Sequence, residues 1–548
     1  MKHYHPNFNK RSRLGRTPEL DPDGVHATLP PLDPASLPRR LAESLRINND
    51  FFPCFDWVFP PPVVTKSQPP DTTAELFSRS SPMRDRFSLY LHTPFCRTLC
   101  RFCYYAVLPG RGIEQAATYV DYLIREMALY REAVSDRVCE SVYLGGGTPT
   151  FLDDALLERL FAALRRNFRL EPDAEITVES APGTLPRTKV RLLRDLGVTR
   201  LSYGIQTLDE RLLAALNRDY SVREAIGELD DAVTQIGNVN VDTMYGFEGE
   251  AADTLMRTLL RFHQVGVPGF SIYALDSQRN RPKDELLPPK DPDYAGKIRR
   301  FSEAEALLAD LGYRRVLQNV FVDPARGSYR HQLRRWDNLP LVALGINAQG
   351  YAPRRPYQNI AALKGYYAAI DAGRAPIATV DDLTPEMDAC RELTSKLRFT
   401  FAGTRELEYK YGVDFARTFH DLTAALADLG YLAVDGDAMR MTAKAAYYNN
   451  LIPMLYAPDA FKEQLLGLPE EYLEAFPVPA VLTRLGRTES VPLHLPETGA
   501  RIERRARFDR RKDTSRRPGS SRRGADRYRA WLPVHGTAAG TQRGRPPV

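Results

Sequence analysis

From about residue 86 the chain alternates short β-rich runs with longer stretches whose apolar residues recur every three to four positions. The runs Ser88–His92, Ser141–Leu144, Glu175–Val178, Arg200–Ile205, Asn238–Met244 and Gly269–Leu275 predict strands. The amphipathic stretches Glu114–Ala133, Asp154–Asn167 and Arg187–Leu196 predict helices between them. Six β/α units in succession imply an α/β fold of parallel strands joined by crossover helices, either an open doubly wound sheet or an incomplete barrel. The strand ends favour the barrel. The first strand runs into a cysteine loop, the second ends at Gly145-Gly-Gly-Thr-Pro149, the third at Glu179, the fourth at Gln206, the fifth at Asp242 and the sixth near Tyr273. Polar and glycine residues at the C-terminal ends of successive parallel strands mark a single rim.

The pattern weakens at both ends. Residues 1–84 are Pro-rich and predict an irregular arm. The first body spans residues 85–285, with an extension over 286–380. A smaller unit follows over 381–465, with helices at Thr384–Arg398 and Phe415–Leu429 and a hairpin over Leu432–Met441 that turns at Asp435-Gly-Asp437. Residues 466–548 predict a disordered basic tail. Residues 501–548 hold fourteen Arg and one Lys against three Asp and one Glu, a net +11. The whole chain carries +6, so the rest is near −5. The basicity is therefore a property of the tail. A solvated extension accounts for it better than nucleic-acid binding. No run of about 18 apolar residues is present, so no membrane partner is expected.

Six cysteines in 548 residues form no disulfide framework. Three are grouped, Cys96, Cys100 and Cys103, at the spacing C-x3-C-x2-C; Cys54, Cys139 and Cys390 are scattered. Three thiolates can hold three irons of a cubic [4Fe–4S] cluster and leave the fourth open for a small molecule, whereas electron-transfer clusters close every iron with four cysteines. Three incidental thiols, or a zinc knuckle lacking a ligand, are the alternatives. An oxygen-labile cluster implies a reducing, cytoplasmic location.

Several ordered motifs resemble the radical S-adenosylmethionine (SAM) superfamily, and within it the HemN-like group of oxygen-independent coproporphyrinogen III oxidases and relatives, over roughly residues 87–457. They are Tyr90-Leu-His-Thr-Pro-Phe-Cys96, Gly145-Gly-Gly-Thr-Pro-Thr150, Thr177-Val-Glu-Ser-Ala-Pro182, Arg200-Leu-Ser-Tyr-Gly-Ile-Gln206 with Asn217-Arg218, Val241-Asp-Thr-Met-Tyr-Gly-Phe247, His331-Gln-Leu-Arg-Arg-Trp336 and Leu344-Gly-Ile-Asn-Ala348. The resemblance implies a partial (β/α)6 radical SAM barrel with a small C-terminal helical, winged-helix-like domain. It implies cluster ligands Cys96, Cys100 and Cys103, with SAM on the open iron cleaved by one electron to a 5′-deoxyadenosyl radical. It places Gly145, Gly146, Gly147 and Thr148 against the SAM aminocarboxylate, where a Cβ would intrude. Glu179, Gln206, Arg218 and Asp242 supply donors and acceptors to SAM, and Tyr90 and His92, which share one strand face, are placed by the resemblance at the cluster and SAM as the candidate catalytic residues. An external electron donor, flavodoxin or ferredoxin, is a further expected partner.

Two departures bear on the reaction. The oxidases carry a fourth cysteine where this chain has Tyr105, and their aromatic-proline motif is not recognisable in residues 49–62. Auxiliary-cluster maturases need more grouped cysteines than Cys139 and Cys390 offer. Arg261-Phe-His-Gln-Val-Gly266 lacks the aspartate of a cobalamin motif. The expectation drawn from these features is a HemN-like C-methyltransferase or cyclopropanase that alkylates a small natural product with two SAM molecules, the second near Ala274 and the Gly345–Gly350 loop. Coproporphyrinogen III oxidation and haem chaperoning are the alternatives.

Overall fold

The computed structural model describes residues 69–79, 85–275 and 294–456, apart from residues 104, 248, 318, 400, 413, 429, 443, 444, 446–450 and 455. Cys54, the Asn49–Pro62 segment and the basic tail lie outside the described residues. The chain builds one twelve-stranded sheet from β1 (Arg86–Thr93), β2 (Val138–Gly146), β3 (Leu170–Ser180), β4 (Arg200–Gln206), β5 (Val239–Tyr245), β6 (Gly269–Ala274), β7 (Arg314–Leu317), β8 (Val320–Val322), β9 (Leu341–Leu344), β10 (Gln349–Ala352), β11 (Arg355–Asn359) and β12 (Ile377–Val380). Their order is β12-β11-β10-β9-β1-β2-β3-β4-β5-β6-β8-β7. Strands β1 to β6 are consecutive and all parallel, with β9 parallel on the far side of β1. Antiparallel strands extend both ends of the sheet. The six expected strands are all present. The six that flank them are short, and all of them, β7 to β12, lie in the stretch expected only as an extension.

Crossover helices α1 (Ile113–Tyr130), α2 (Asp154–Asn167), α3 (Arg187–Asp195), α4 (Val222–Gln235) and α5 (Thr254–Val265) cover the outer face. Local chemistry sets their ends. The Asp153 side chain accepts from the Leu156 N–H at the start of α2, Ser221 and Glu224 form a capping box on α4, and Gly266 closes α5 in the left-handed region at φ 87°.

A two-residue alternation sorts the strands into two faces. Phe87, Leu89 and Leu91, Val142 and Leu144, Ile176 and Val178, Leu201 and Ile205, Val239 and Val241, and Phe270 and Ile272 pack into the helix-side core. The other parity faces inward and is polar: Ser88, Tyr90 and His92; Ser141 and Tyr143; Thr177 and Glu179; Arg200, Ser202 and Gln206; Asn240 and Asp242; Ser271 and Tyr273. Hydrogen bonds tie these inner residues across strands, as between Ser88 and Ser141 Oγ at 2.8 Å, and from Asn240 Nδ2 to Ser271 Oγ at 2.9 Å.

Three stretches differ from expectation. Within the arm expected to be irregular, Thr73–Leu76 forms a helical turn whose Leu76, with Phe77, enters the barrel core. The helix expected over Phe415–Leu429 is broken into Phe415–Thr418 and His420–Asp428, because the Thr418 hydroxyl bonds back to the Asp414 carbonyl and Phe419 leaves helical φ to set its ring against Tyr456. The hairpin Leu432–Asp435 and Ala438–Met441 gains a third strand, Ala402–Gly403. With the helix Pro385–Phe399 it encloses a core of its own around Leu393, Leu397, Phe415 and Leu426. Cys139 and Cys390 are fully buried. No helix among the described residues is long and apolar enough to cross a membrane.

Candidate active site

The cysteine loop leaves the end of β1 and is fastened from both sides. Phe95–Cys96 pairs in parallel with Leu108–Pro109, and Gly110 N–H donates to the Cys96 carbonyl. On the other side Arg101 N–H donates to Leu216 O, and Asn217 Nδ2 donates to Leu99 O from a residue held at φ 59°. All three cysteines are half-buried and free of disulfides. Burial pushes the Cys96 and Cys103 thiols up to about 12, reinforced by their proximity to one another and to Cys100. Thiols so placed become thiolates only when positive charge arrives, as a bound metal provides. Two local features already favour the ionised sulfur. Thr148 Oγ1 donates to Cys96 Sγ at 3.7 Å, and the Arg218 guanidinium exerts its charge on all three thiols. Arg218 lies over the Phe102 and Tyr220 rings at 5.4 and 5.8 Å, and its buried Nε has no hydrogen-bond partner among the described residues. Three converging sulfurs, a hydroxyl donor and an unspent cation fit an iron–sulfur cluster with an anionic group beside it.

The glycine run closes the next side. A Cβ on Gly145 would stand 2.9 Å from the Glu179 carboxylate, one on Gly146 2.4 Å from the His92 ring, and one on Gly147 2.6 Å from the Phe95 carbonyl oxygen. Gly146 also sits at φ 109°. The run is held by Gly147 N–H to Thr93 O and Thr148 N–H to Phe95 O, each 2.8 Å. Glu179 Oε2 accepts from Gly146 N–H at 2.9 Å, and Oε1 accepts from the Tyr143 hydroxyl at 2.7 Å. Burial raises the Glu179 carboxyl to about 7 despite those donors.

His92 takes a defined role. Its Nε2 lies 2.7 Å from the Ala106 carbonyl, which can only accept, so Nε2 carries the proton. Nδ1 then accepts from the Tyr90 hydroxyl at 3.1 Å. Burial lowers the imidazole to about 4. With both nitrogens engaged and the ring neutral, His92 pins the loop after the cysteines and supports Gly146; it has no free position for moving a proton. Tyr90 stacks on Tyr143 at 6.1 Å.

Gln206 and Arg218 converge above Gly204. A Cβ there would be 3.1 Å from Gln206 Nε2 and 3.9 Å from Arg218 Nη2. Gln206 adopts φ 78°, a backbone state unusual for a non-glycine residue that re-aims its side chain as the strand ends. Asp242, paired in register with Gly204, accepts from Ser202 Oγ at 3.3 Å and Asn240 Nδ2 at 3.0 Å, and burial raises its carboxyl. The structure thus brings Tyr90, His92, the three cysteines, Gly145–Thr148, Glu179, Gln206, Arg218 and Asp242 to one rim.

Ala274 is placed differently. By alternation it shares the core-side parity of Phe270 and Ile272 and is packed there, and the inner position at this strand end is Tyr273, 42 % exposed. The Gly345–Gly350 loop follows β9, at the other end of the parallel run. Its backbone donors are engaged: Gly345 N–H with Glu126, Ile346 N–H with the Tyr119 hydroxyl, Asn347 N–H with Ile360 O. The structure does not bring Ala274 and this loop together as one side-chain site.

Two residues that the sequence motifs left without a role, Arg200 within its motif and Glu126 outside any, take one in the structure. Arg200, 1 % exposed, lies on the inner face beneath Glu179 with its guanidinium 3.8 Å over the Tyr329 ring. An arginine on the polar parity of a buried strand was the available signal. Glu126 of α1 is fully buried and accepts from Gly345 N–H, Asn359 Nδ2 and the Tyr366 hydroxyl, fixing the loop after β9 to α1. A third cluster of carboxylates, Asp337, Glu392 and Glu406, surrounds Lys396 Nζ at 3.0, 2.9 and 2.9 Å. The lysine supplies the cation, so this is an ion network joining the C-terminal helix to the barrel.

Comparison with known proteins agrees with this geometry. The radical SAM superfamily pattern matches residues 90–262. The haem chaperone HemW of Mycobacterium tuberculosis is 29% identical over 371 residues, covering 65% of this chain and 91% of that protein. The oxygen-independent coproporphyrinogen III oxidase of Escherichia coli is 28% identical over 383 residues, covering 65% and 82%. The solved structure of the E. coli coproporphyrinogen III oxidase HemN, a radical SAM enzyme, matches with a TM-score of 0.61 at 25% identity, over 70% of this chain and 92% of that one. These relatives are named as chaperone and oxidases, and they lend no support to the expected alkyl transfer.

Proposed function

We propose that this chain, a radical SAM protein of the HemN-like group, is an enzyme that oxidises coproporphyrinogen III or a closely similar tetrapyrrole. The observation that carries the reading is the match to the HemN structure over 70% of this chain and 92% of that one. In this reading Cys96, Cys100 and Cys103 hold the cluster, and Gly145–Gly147 with Glu179, Gln206, Arg218 and Asp242 bind SAM. When bound, the cluster supplies one electron and SAM the adenosyl group that abstracts hydrogen. His92 and Thr148 orient that assembly. A flavodoxin or ferredoxin is the proposed electron donor, and the oxygen-labile cluster fits a reducing cytoplasm.

Haem chaperoning is the second reading, favoured by Tyr105 standing where the oxidases carry a fourth cysteine; its side chain is 52 % exposed beside the loop. Anaerobic incubation with reductant, SAM and coproporphyrinogen III separates the readings. Oxidation predicts loss of substrate with 5′-deoxyadenosine and carbon dioxide. Stable haem binding without turnover would replace it with the chaperone reading. Stoichiometric S-adenosylhomocysteine would restore alkylation with a second SAM.

A further inference from the structure

We propose that Arg200 is a positioning residue of the SAM site, a buried countercharge on the barrel floor that keeps Glu179 and Asp242 ionised together. The inference rests on the reading of those two carboxylates as SAM ligands. Arg200 is the first residue of β4, and its side chain is on the inner face. Nε donates to Ser328 O at 3.0 Å, the guanidinium covers the Tyr329 ring, and buried Nη1 has no hydrogen-bond partner among the described residues. Arg200 makes no direct ion pair among the described residues. A cation so deeply buried is costly unless opposite charge compensates it.

The register shows where that charge is. Arg200 pairs with Thr177, the inner position preceding Glu179, and Glu179 itself pairs with Ser202. Asp242 pairs with Gly204, and Ser202 Oγ donates to it. The carboxylates therefore stand one and two inner layers above the guanidinium, roughly 7 Å per layer. Two half-buried carboxylates facing one another would each hold the other's proton on, and Asp242 does raise Glu179. Arg200 opposes this at both. The other groups facing Glu179 are Tyr90, Tyr143, Tyr329 and Cys96, with Gly146 N–H; those facing Asp242 are Ser202, Asn240, Ser271, Tyr143 and Tyr329. Arg200 is a cation whose charge reaches both carboxylates. SAM presents positive sulfonium and ammonium groups and ribose hydroxyls, so ionised acceptors are what binding needs.

The test uses full-length protein reconstituted anaerobically. The protonated-carboxyl infrared band of Glu179, assigned by its loss in Glu179→Gln, is titrated, and the SAM dissociation constant is measured across the same pH range. In Arg200→Met the Glu179 midpoint should rise by about one to two pH units. SAM affinity near neutrality should fall roughly tenfold and recover at higher pH, with iron content unchanged. Arg200→Lys should behave like the parent. A midpoint moved by less than about half a unit in folded Arg200→Met overturns the proposal. A shifted midpoint with SAM affinity unchanged at every pH overturns the SAM role of Glu179, and this role of Arg200 with it. If Arg200→Met does not fold, the double variant with Glu179→Gln decides. Recovery of folding supports charge compensation, and continued misfolding shows that Arg200 only anchors the floor at Ser328 and Tyr329.

Discussion

Gly146 is where the site tolerates least change, and the cost of adding one methyl can be worked from the structure. Gly146→Ala imposes two penalties. The residue sits at φ 109°, and holding an L-residue in such a conformation costs about 1–3 kcal/mol. The new Cβ would lie 2.4 Å from both Cε1 and Nδ1 of His92, so the ring or the loop must shift. His92 cannot yield freely, being tied to Ala106 O and Tyr90. Overpacking of this kind adds about 1–3 kcal/mol. The total, roughly 2–6 kcal/mol, predicts a clear fall in the urea midpoint of the metal-free protein and weaker SAM binding after reconstitution. A double-mutant cycle separates the terms. In a His92→Ala background the steric part should vanish, so the variants should couple by about 1–3 kcal/mol while the backbone part persists. Gly146→Ala within about 0.5 kcal/mol of the parent, with no coupling to His92→Ala, would refute the close packing of ring and glycine.

Replacing Cys96, Cys100 and Cys103 together by Ala should abolish iron loading and SAM cleavage; full iron content in that variant would rule out this cluster site. Thr148→Val removes the hydroxyl donor to Cys96 Sγ and should make the cluster's reduction potential more negative at unchanged iron content, read by potentiometric electron paramagnetic resonance. Burial raises Glu126 to about 8, above its unfolded value of 4.5. The folded state therefore holds that proton more tightly, and the contribution is present below pH 4.5 and lost as pH rises through about 8. Glu126→Gln should flatten the fall in urea midpoint across that window, a change on the order of a few kcal/mol; an equally steep fall in the variant would show that another group is responsible.

Much of this molecule is written in local patterns. The two-residue alternation marks six strands with an apolar outer and a polar inner face, because a pleated strand covered by helices on one side must sort its residues that way. The cysteine spacing and the glycine run are equally local, since one loop supplies each. The strand-end residues Glu179, Gln206 and Asp242 were legible because parallel β/α units bring all C-terminal ends to one rim.

What stayed hidden depends on pairings between distant segments. Glu126 meets Asn359 across 233 residues of sequence, and Arg200 finds its floor at Ser328, 128 residues away. A buried charge looks locally like any surface charge, and only the closed fold shows that it has lost water and which donors replace it. Parity also decided Ala274. Sequence position put it at the rim, but the pleat turns its side chain into the core and Tyr273 inward. The motifs were set by short-range geometry, whereas the ionisation and placement of the groups around them were set by desolvation and register, which exist only once the sheet is assembled.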